Sequence, residues 1–199
     1  MRRVRQGLDR AELAACERII ELYVPYILVR CARYTNRRRQ AEQIGVYTLV
    51  TTCLLASRLD RVRQLGVLVD VMLDVVGPDV VSGGEGHEWW GGCDELLIVD
   101  RRMCRMAAAL NFLHRPWREV LILHHVAGMD VGDLTRWLLR PADEVVTRIT
   151  RGEKLLAERF AVSDARPLLA QFAAGLDAGW MQEVADAALE YLAQRTRGA

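Results

Sequence analysis

MDVGDLTRWLLRPADEVVTRITRGEKLL, Met129–Leu156, decides how this chain is read. Two helical patterns stand in it with almost nothing between them. Asp130 sits where an N-cap belongs, with Asp133 three residues later, close to a capping box. Val131, Leu134, Trp137 and Leu138 give the first helix one apolar side. Pro141 opens the second helix, because a missing N–H costs nothing in a first turn. Val145, Ile149, Gly152 and Leu156 line its inner face. The opposite stripe is Asp143, Thr147, Thr150, Arg151 and Lys154, with Arg148 beside it.

One element further out, Arg115-Pro116 starts another helix, Trp117–Val126, which stops at Gly128. Helices in this succession read as a helix-turn-helix, in which the first helix of the pair crosses the DNA backbone and the second enters the major groove. Threonine and arginine on that second helix can contact phosphates and base edges. The stripe reads equally as the solvated face of a packed hairpin. Asp143, Glu144, Glu153 and Glu158 balance Arg148, Arg151, Lys154 and Arg159.

Helical spacing of apolar residues continues through nearly the whole chain, and no alternating strand pattern persists, so the fold class expected is all-α. Leu8–Arg33 holds one or two helices, broken or bent near Pro25. Ala41–Leu59 and Gln64–Val76 hold one each. Residues 77–95, GPDVVSGGEGHEWWGGCDE, contain six glycines and a proline and read as a linker. The expected layout is therefore a helical domain at 1–76, the linker, a helix-turn-helix domain at 96–160 and a helical C-terminal extension at 161–199. That extension is interrupted at Gly175 and Gly179. Its stripe of Leu168, Leu169, Phe172, Leu176, Trp180, Val184, Ala188 and Leu192 is expected to pack on its own chain.

The net charge of +1 is unevenly spread. Residues 1–40 carry ten arginines against four acids, whereas 41–100 carry three against ten. Such asymmetry points to charged partners on particular faces rather than to a uniformly basic coat for nucleic acid. The five cysteines are odd in number and lie mostly in apolar helical runs, which favours reduced thiols in a cytosolic protein. No signal peptide is visible. The apolar runs Gly45–Ala56 and Gly66–Val76 are too short, or too broken by Asp70 and Asp74, to span a bilayer, so no membrane partner is expected. His87, Cys93, Cys104, His114, His124 and His125 show no CxxC or HxxxC spacing, and neither a metal nor another cofactor is expected. With no paired nucleophile and base and no phosphate-cradling loop, the chain does not read as an enzyme. Trp89-Trp90 reads either as an anchor on a partner or as a pair folded back on its own chain.

Residues 110–160 resemble the C-terminal domain of bacterial RNA polymerase sigma factors, most closely the extracytoplasmic-function group. The match runs without a gap through Arg118-Glu119-Val120-Leu121, Gly128, Leu134, Leu138, Pro141, Val145, Arg148, Arg151 and Leu156. Ile20-Glu21-Leu22-Tyr23, Tyr26, Arg33 and Ala41-Glu42 resemble that family's N-terminal domain, so the likeness covers roughly 15–160. It implies an RNA polymerase core as partner, contacted near Glu42, Gln43, Val46 and Tyr47. It also implies promoter DNA, contacted through Thr147, Arg148, Thr150, Arg151 and Lys154.

The chain departs from the family at several places. Gln43, Val46 and Tyr47 replace polar docking residues. Where the family carries an aromatic, basic segment that melts the promoter, Gln64–Asp74 has no aromatic and a negative charge. Leu139 replaces the turn glycine, and Val146 a frequent basic residue. Two functions are thus expected: a divergent sigma factor that binds promoter DNA, or a sigma mimic that binds an anti-sigma protein or another regulator without melting a promoter. A plain DNA-binding regulator using only the C-terminal half is a third.

Overall fold

A helix that is apolar on every side belongs at the centre of a structure. The second half of helix α1, Arg10–Cys31, comes close to that: from Leu22 to Cys31 every residue is buried. The computed structural model describes residues 10–35, 37–56, 65–82 and 100–197, and the regular elements among them are α-helices. After α1 come α2 (Arg38–Ala56), α3 (Leu65–Ser82), α4 (Arg101–Phe112), α5 (Arg115–His125) and α6 (Val131–Leu138). Helices α7 (Ala142–Phe160), α8 (Arg166–Gly175) and α9 (Ala178–Arg197) complete the order. Helix α1 packs against α2, α3, α4, α5 and α9, and the buried side chains of all these elements belong to one continuous apolar cluster. No helix among the described residues is long and apolar enough to cross a membrane.

Pro25 lies inside α1 without ending it. An interior proline costs a helix about 3 kcal/mol or more. Against that, Ile20, Leu22, Tyr23, Val24, Tyr26, Ile27 and Leu28 are buried around it. Each such side chain contributes about 1.5–3 kcal/mol by leaving water. Packing wins, and α1 runs through.

Residues 77–82, expected in a linker, belong instead to α3, which continues to Ser82 with Gly77 and Pro78 inside it. Gly77 is buried against Tyr34, where a Cβ would lie 2.8 Å from the ring. The Tyr34 hydroxyl also donates to Asp74, one turn earlier on α3. Close packing on the turn that follows α1 therefore explains a glycine that composition alone assigns to a loop. The rest of the expected linker, with His87, Trp89, Trp90 and Cys93, lies outside the described residues.

Helix α9 lies along α1 and α2, and α8 touches α4 and α5. Leu169, Phe172, Leu176, Trp180, Val184, Ala188 and Leu192 are buried, so the C-terminal stripe does pack on its own chain. Gly45 of α2 makes the approach close, since a Cβ there would meet Val184 at 3.1 Å. Asp177 caps α9 by accepting from the Trp180 N–H at 2.9 Å.

Helices α6 and α7 are joined only by Leu139, Arg140 and Pro141. The Asp130 carboxylate accepts from the Asp133 N–H at 2.6 Å, which caps α6. Leu139 closes α6 at φ 51°, ψ 47°, in the left-handed region. A leucine there is strained by about 1–2 kcal/mol. Its side chain is 53 % exposed and gives little back in packing. Leu139→Gly should therefore stabilise the protein by about 0.5–1 kcal/mol once glycine's larger unfolded-state entropy is set against the relieved strain. Urea denaturation of the two proteins measures this, and an unchanged or lower midpoint would contradict it. On α2, Thr48 has a fully buried hydroxyl with no hydrogen-bond partner among the described residues. Thr48→Val should raise the same midpoint, because an unsatisfied buried hydroxyl costs about 1–3 kcal/mol.

Candidate nucleic-acid interface

Val145, Ile149, Gly152 and Leu156 are buried and fix which side of α7 faces outward. Gly152 admits Leu121 of α5, whose Cδ1 would lie 2.7 Å from a Cβ at that position. The outward side carries Asp143, Val146, Thr147, Thr150, Arg151, Lys154 and Glu158. The Thr147 hydroxyl donates to the Asp143 carbonyl at 2.7 Å. Lys154 stands 4.0 Å from Glu158, with both side chains mostly in solvent, so this pair contributes little.

Arg151 lies over the ring of Trp117 from α5, its guanidinium carbon 5.0 Å from the ring centre. Stacking orders a guanidinium through its face, and its N–H donors lie in its plane. They stay available to an oxygen ligand. In the last turn of α7, Arg159 stacks in the same way on the exposed ring of Phe112 at 4.9 Å. Neither aromatic partner is evident from the α7 pattern alone. Trp117 and Phe112 come from separate helices that only the fold brings alongside.

Arg148 stands apart from this face. It is half-buried, pairs with Glu144 one turn earlier, and lines a cavity shared with α1 and α3. Of the five residues expected on DNA, the structure thus groups Thr147, Thr150, Arg151 and Lys154 and turns Arg148 aside.

The residues expected on polymerase are divided too. Tyr47 is 44 % exposed, and Gln43 and Val46 are half-buried. Glu42 accepts from Arg38 at 3.3 Å, and the same guanidinium reaches Asp177 at 3.0 Å and Glu183 at 3.1 Å on the C-terminal side. Burial pushes the Glu42 carboxyl above its usual range, against the pull of Arg38. Glu42 is engaged within the chain, under α9.

A polar junction that the sequence reading passed over ties α1 and α3 to α4 and α5. Asp70 of α3 accepts from Arg30 Nε at 2.9 Å, from Arg118 Nη2 at 2.7 Å and from the Tyr26 hydroxyl at 2.9 Å. Arg30 also reaches the Asn111 side chain at 2.9 Å, and Arg118 reaches the Leu113 carbonyl at 3.1 Å. Next to it, the Tyr23 hydroxyl donates to Glu119 at 2.8 Å. Burial, followed by the neighbouring carboxylate, holds the Tyr23 phenol far above its usual range, so it stays a donor. The Arg118-Glu119 pair, read as part of a motif, is thus spent on the junction. A lone arginine in the apolar run Tyr23–Cys31 and two aspartates in Gly66–Val76 were the available signal.

Beside Glu119 lies a cavity of about 290 Å³, lined by Tyr23, Leu65, Gly66, Val67, Arg115, Pro116, Trp137, Leu138, Arg140 and Arg148 as well. Gly66 is required at its wall, because a Cβ there would lie 2.0 Å from Glu119 Oε1. Among the described residues no group of three or more His, Cys, Asp or Glu is placed to hold a metal ion. No family model matches the chain, nor does any curated protein or solved structure.

Burial raises the Glu119 carboxyl above its usual value of 4.5, the Tyr23 hydroxyl and Arg115 pulling the other way. A carboxyl raised by folding favours the folded state in its protonated form. That contribution is complete below pH 4.5 and is lost as pH rises through the folded-state value. Glu119→Gln keeps an acceptor for Tyr23 and removes the buried charge. It should therefore stabilise the protein at pH 7, with the gain shrinking toward pH 4. Thermal melts across that range check the sign, and destabilisation at every pH would contradict it.

Proposed function

We propose that this chain is a sigma-factor-like transcription regulator of the cytosol that binds duplex DNA through a helix-turn-helix formed by α6 and α7. The observation that carries this reading is the outward face of α7, where Thr147, Thr150, Arg151 and Lys154 stand together behind a tight turn and a buried inner face. A stacked guanidinium is already ordered, so less entropy is lost when it takes a phosphate or a guanine edge. Asp143 and Glu158 at the two ends of the face limit non-specific attraction. RNA polymerase core is the protein partner that goes with this reading.

One observation favours a second reading, a sigma mimic that acts on a regulator such as an anti-sigma protein without opening a promoter. The segment Gln64–Asp74 carries Asp70, which is bound by Arg30 and Arg118, and its neighbour α2 is covered by α9. An acidic residue spent on an internal bridge is poor chemistry for holding single-stranded DNA.

Fluorescence anisotropy with the full chain, at two salt concentrations on promoter and random duplexes, separates the readings. Arg151→Ala should cost about 1–3 kcal/mol on a specific site if Arg151 reads a base, or lower the salt slope by about one if it touches only phosphate. Val146→Arg should strengthen binding to all duplexes by adding a cation to the exposed face. Negligible binding by the wild type and by Arg151→Ala alike would remove the DNA reading and leave the mimic. Polymerase pull-down followed by run-off transcription then tests promoter opening directly.

A further inference from the structure

The cavity beside Glu119 receives three arginines from three places in the chain: Arg115 at the start of α5, Arg140 in the turn, and Arg148 on α7. Among the described residues Arg115 has no hydrogen-bond or ion-pair partner. Arg140 and Arg148 share one carboxylate, Glu144, with Arg140 at 3.8 Å. Each guanidinium has five N–H donors, so a single shared carboxylate leaves most of them unused. Among the described residues the one acid on the cavity wall is Glu119, already occupied by the Tyr23 hydroxyl. Three guanidiniums gathered on a partly enclosed wall repel one another and are poorly hydrated, and an anion between them offsets both costs. The space is larger than an inorganic phosphate needs and near the lower bound for small-molecule sites. Trp137 is half-buried on the wall and provides an aromatic surface, backed by the buried ring of Tyr23 at 6.4 Å.

We propose that this cavity is a binding site for a small phosphate monoester with a compact aromatic body, its phosphate among Arg115, Arg140 and Arg148 and its ring against Trp137. Phosphate is the anion of choice because a guanidinium fork matches two of its oxygens at once. The site draws on α1, α5, the α6–α7 turn and α7, so an occupant holds these elements together. Binding only the folded form, it raises the melting temperature in proportion to occupancy. The proposal stands independently of the DNA reading, because Arg115, Arg140 and Arg148 are not on the outward face of α7.

Phenyl phosphate and inorganic phosphate are the probes, titrated into the full chain at constant ionic strength, with melting temperature and calorimetric heat as readouts. Saturable binding of phenyl phosphate is expected, about tenfold tighter than inorganic phosphate, the ring's burial being worth roughly one decade in affinity. Arg115→Gln should weaken phenyl phosphate by about tenfold or more, the share of one charge-assisted phosphate contact. It should lower the melting temperature without ligand only slightly, because among the described residues Arg115 acts on Glu119 through its charge alone. Arg148→Gln should weaken it as well, and a lower melting temperature without ligand would report the lost Glu144 pair separately. Absence of saturable binding, or binding undiminished in Arg115→Gln, overturns the site. Equal affinity for the two probes overturns the aromatic part of the assignment.

Discussion

Asp70 holds the molecule together. Its carboxylate is shared by Arg30 from the central helix and Arg118 from α5, and Tyr26 adds a third donor. Two guanidiniums flank this carboxylate, and both are nearly inaccessible, with side chains 2 % and 7 % exposed. Such groups are expensive to desolvate, and removing one partner of a buried pair costs about 3–5 kcal/mol because the other is left charged and alone. The arrangement is tolerable because both ions have further partners, through Asn111 and the Leu113 carbonyl. Apolar contacts alone allow helices to slide past one another. A carboxylate bonded from two directions does not, and it fixes the register of α3 against α1 and α5.

Other features follow from that register. With α3 held in place, Gly66 comes against Glu119, and Glu119 against Tyr23. The wall of the cavity is set by the same contacts, and Arg148 is drawn toward it and away from the outward side of α7. Four residues remain on that outward side as candidates for nucleic acid, in place of the five that the resemblance implied. Helix α9 works in the same direction on α2, where Arg38 gathers Glu42, Asp177 and Glu183 into one ionic group.

The all-helical class was legible because helical periodicity persists along the whole chain and short turns carry their own chemistry. Asp130 as a cap, Pro141 at a helix start and the inner stripe of α7 are local features, and local features can be read locally. The backbone at Leu139 is left-handed, the conformation that a glycine in that turn would serve. What could not be read was pairing across distance. Nothing near Arg30 in sequence announces Asp70, and nothing near Arg151 announces Trp117. Glycine misled at the end of α3 for a related reason, since Gly77 serves a close approach to Tyr34 rather than a turn. Composition reports how a backbone bends but not what it lies against. Pro25 misled less, because the apolar residues around it show how much burial stands against one lost hydrogen bond.

The packing of α9 on α1 and α2 also bears on how the chain reaches this state. Arg38 and Glu183, bonded across that contact, are 145 residues apart in sequence. Closing a loop of that length costs entropy before the contact returns anything, and chains rich in such pairings fold slowly for their size. During synthesis α1 leaves the ribosome well before α9, and the apolar surface of its second half lacks part of its cover until α9 arrives. Until then the early helices must share that surface among themselves or with other molecules. The interval between the first helix and the last is therefore when this protein is most exposed to aggregation and to chaperones.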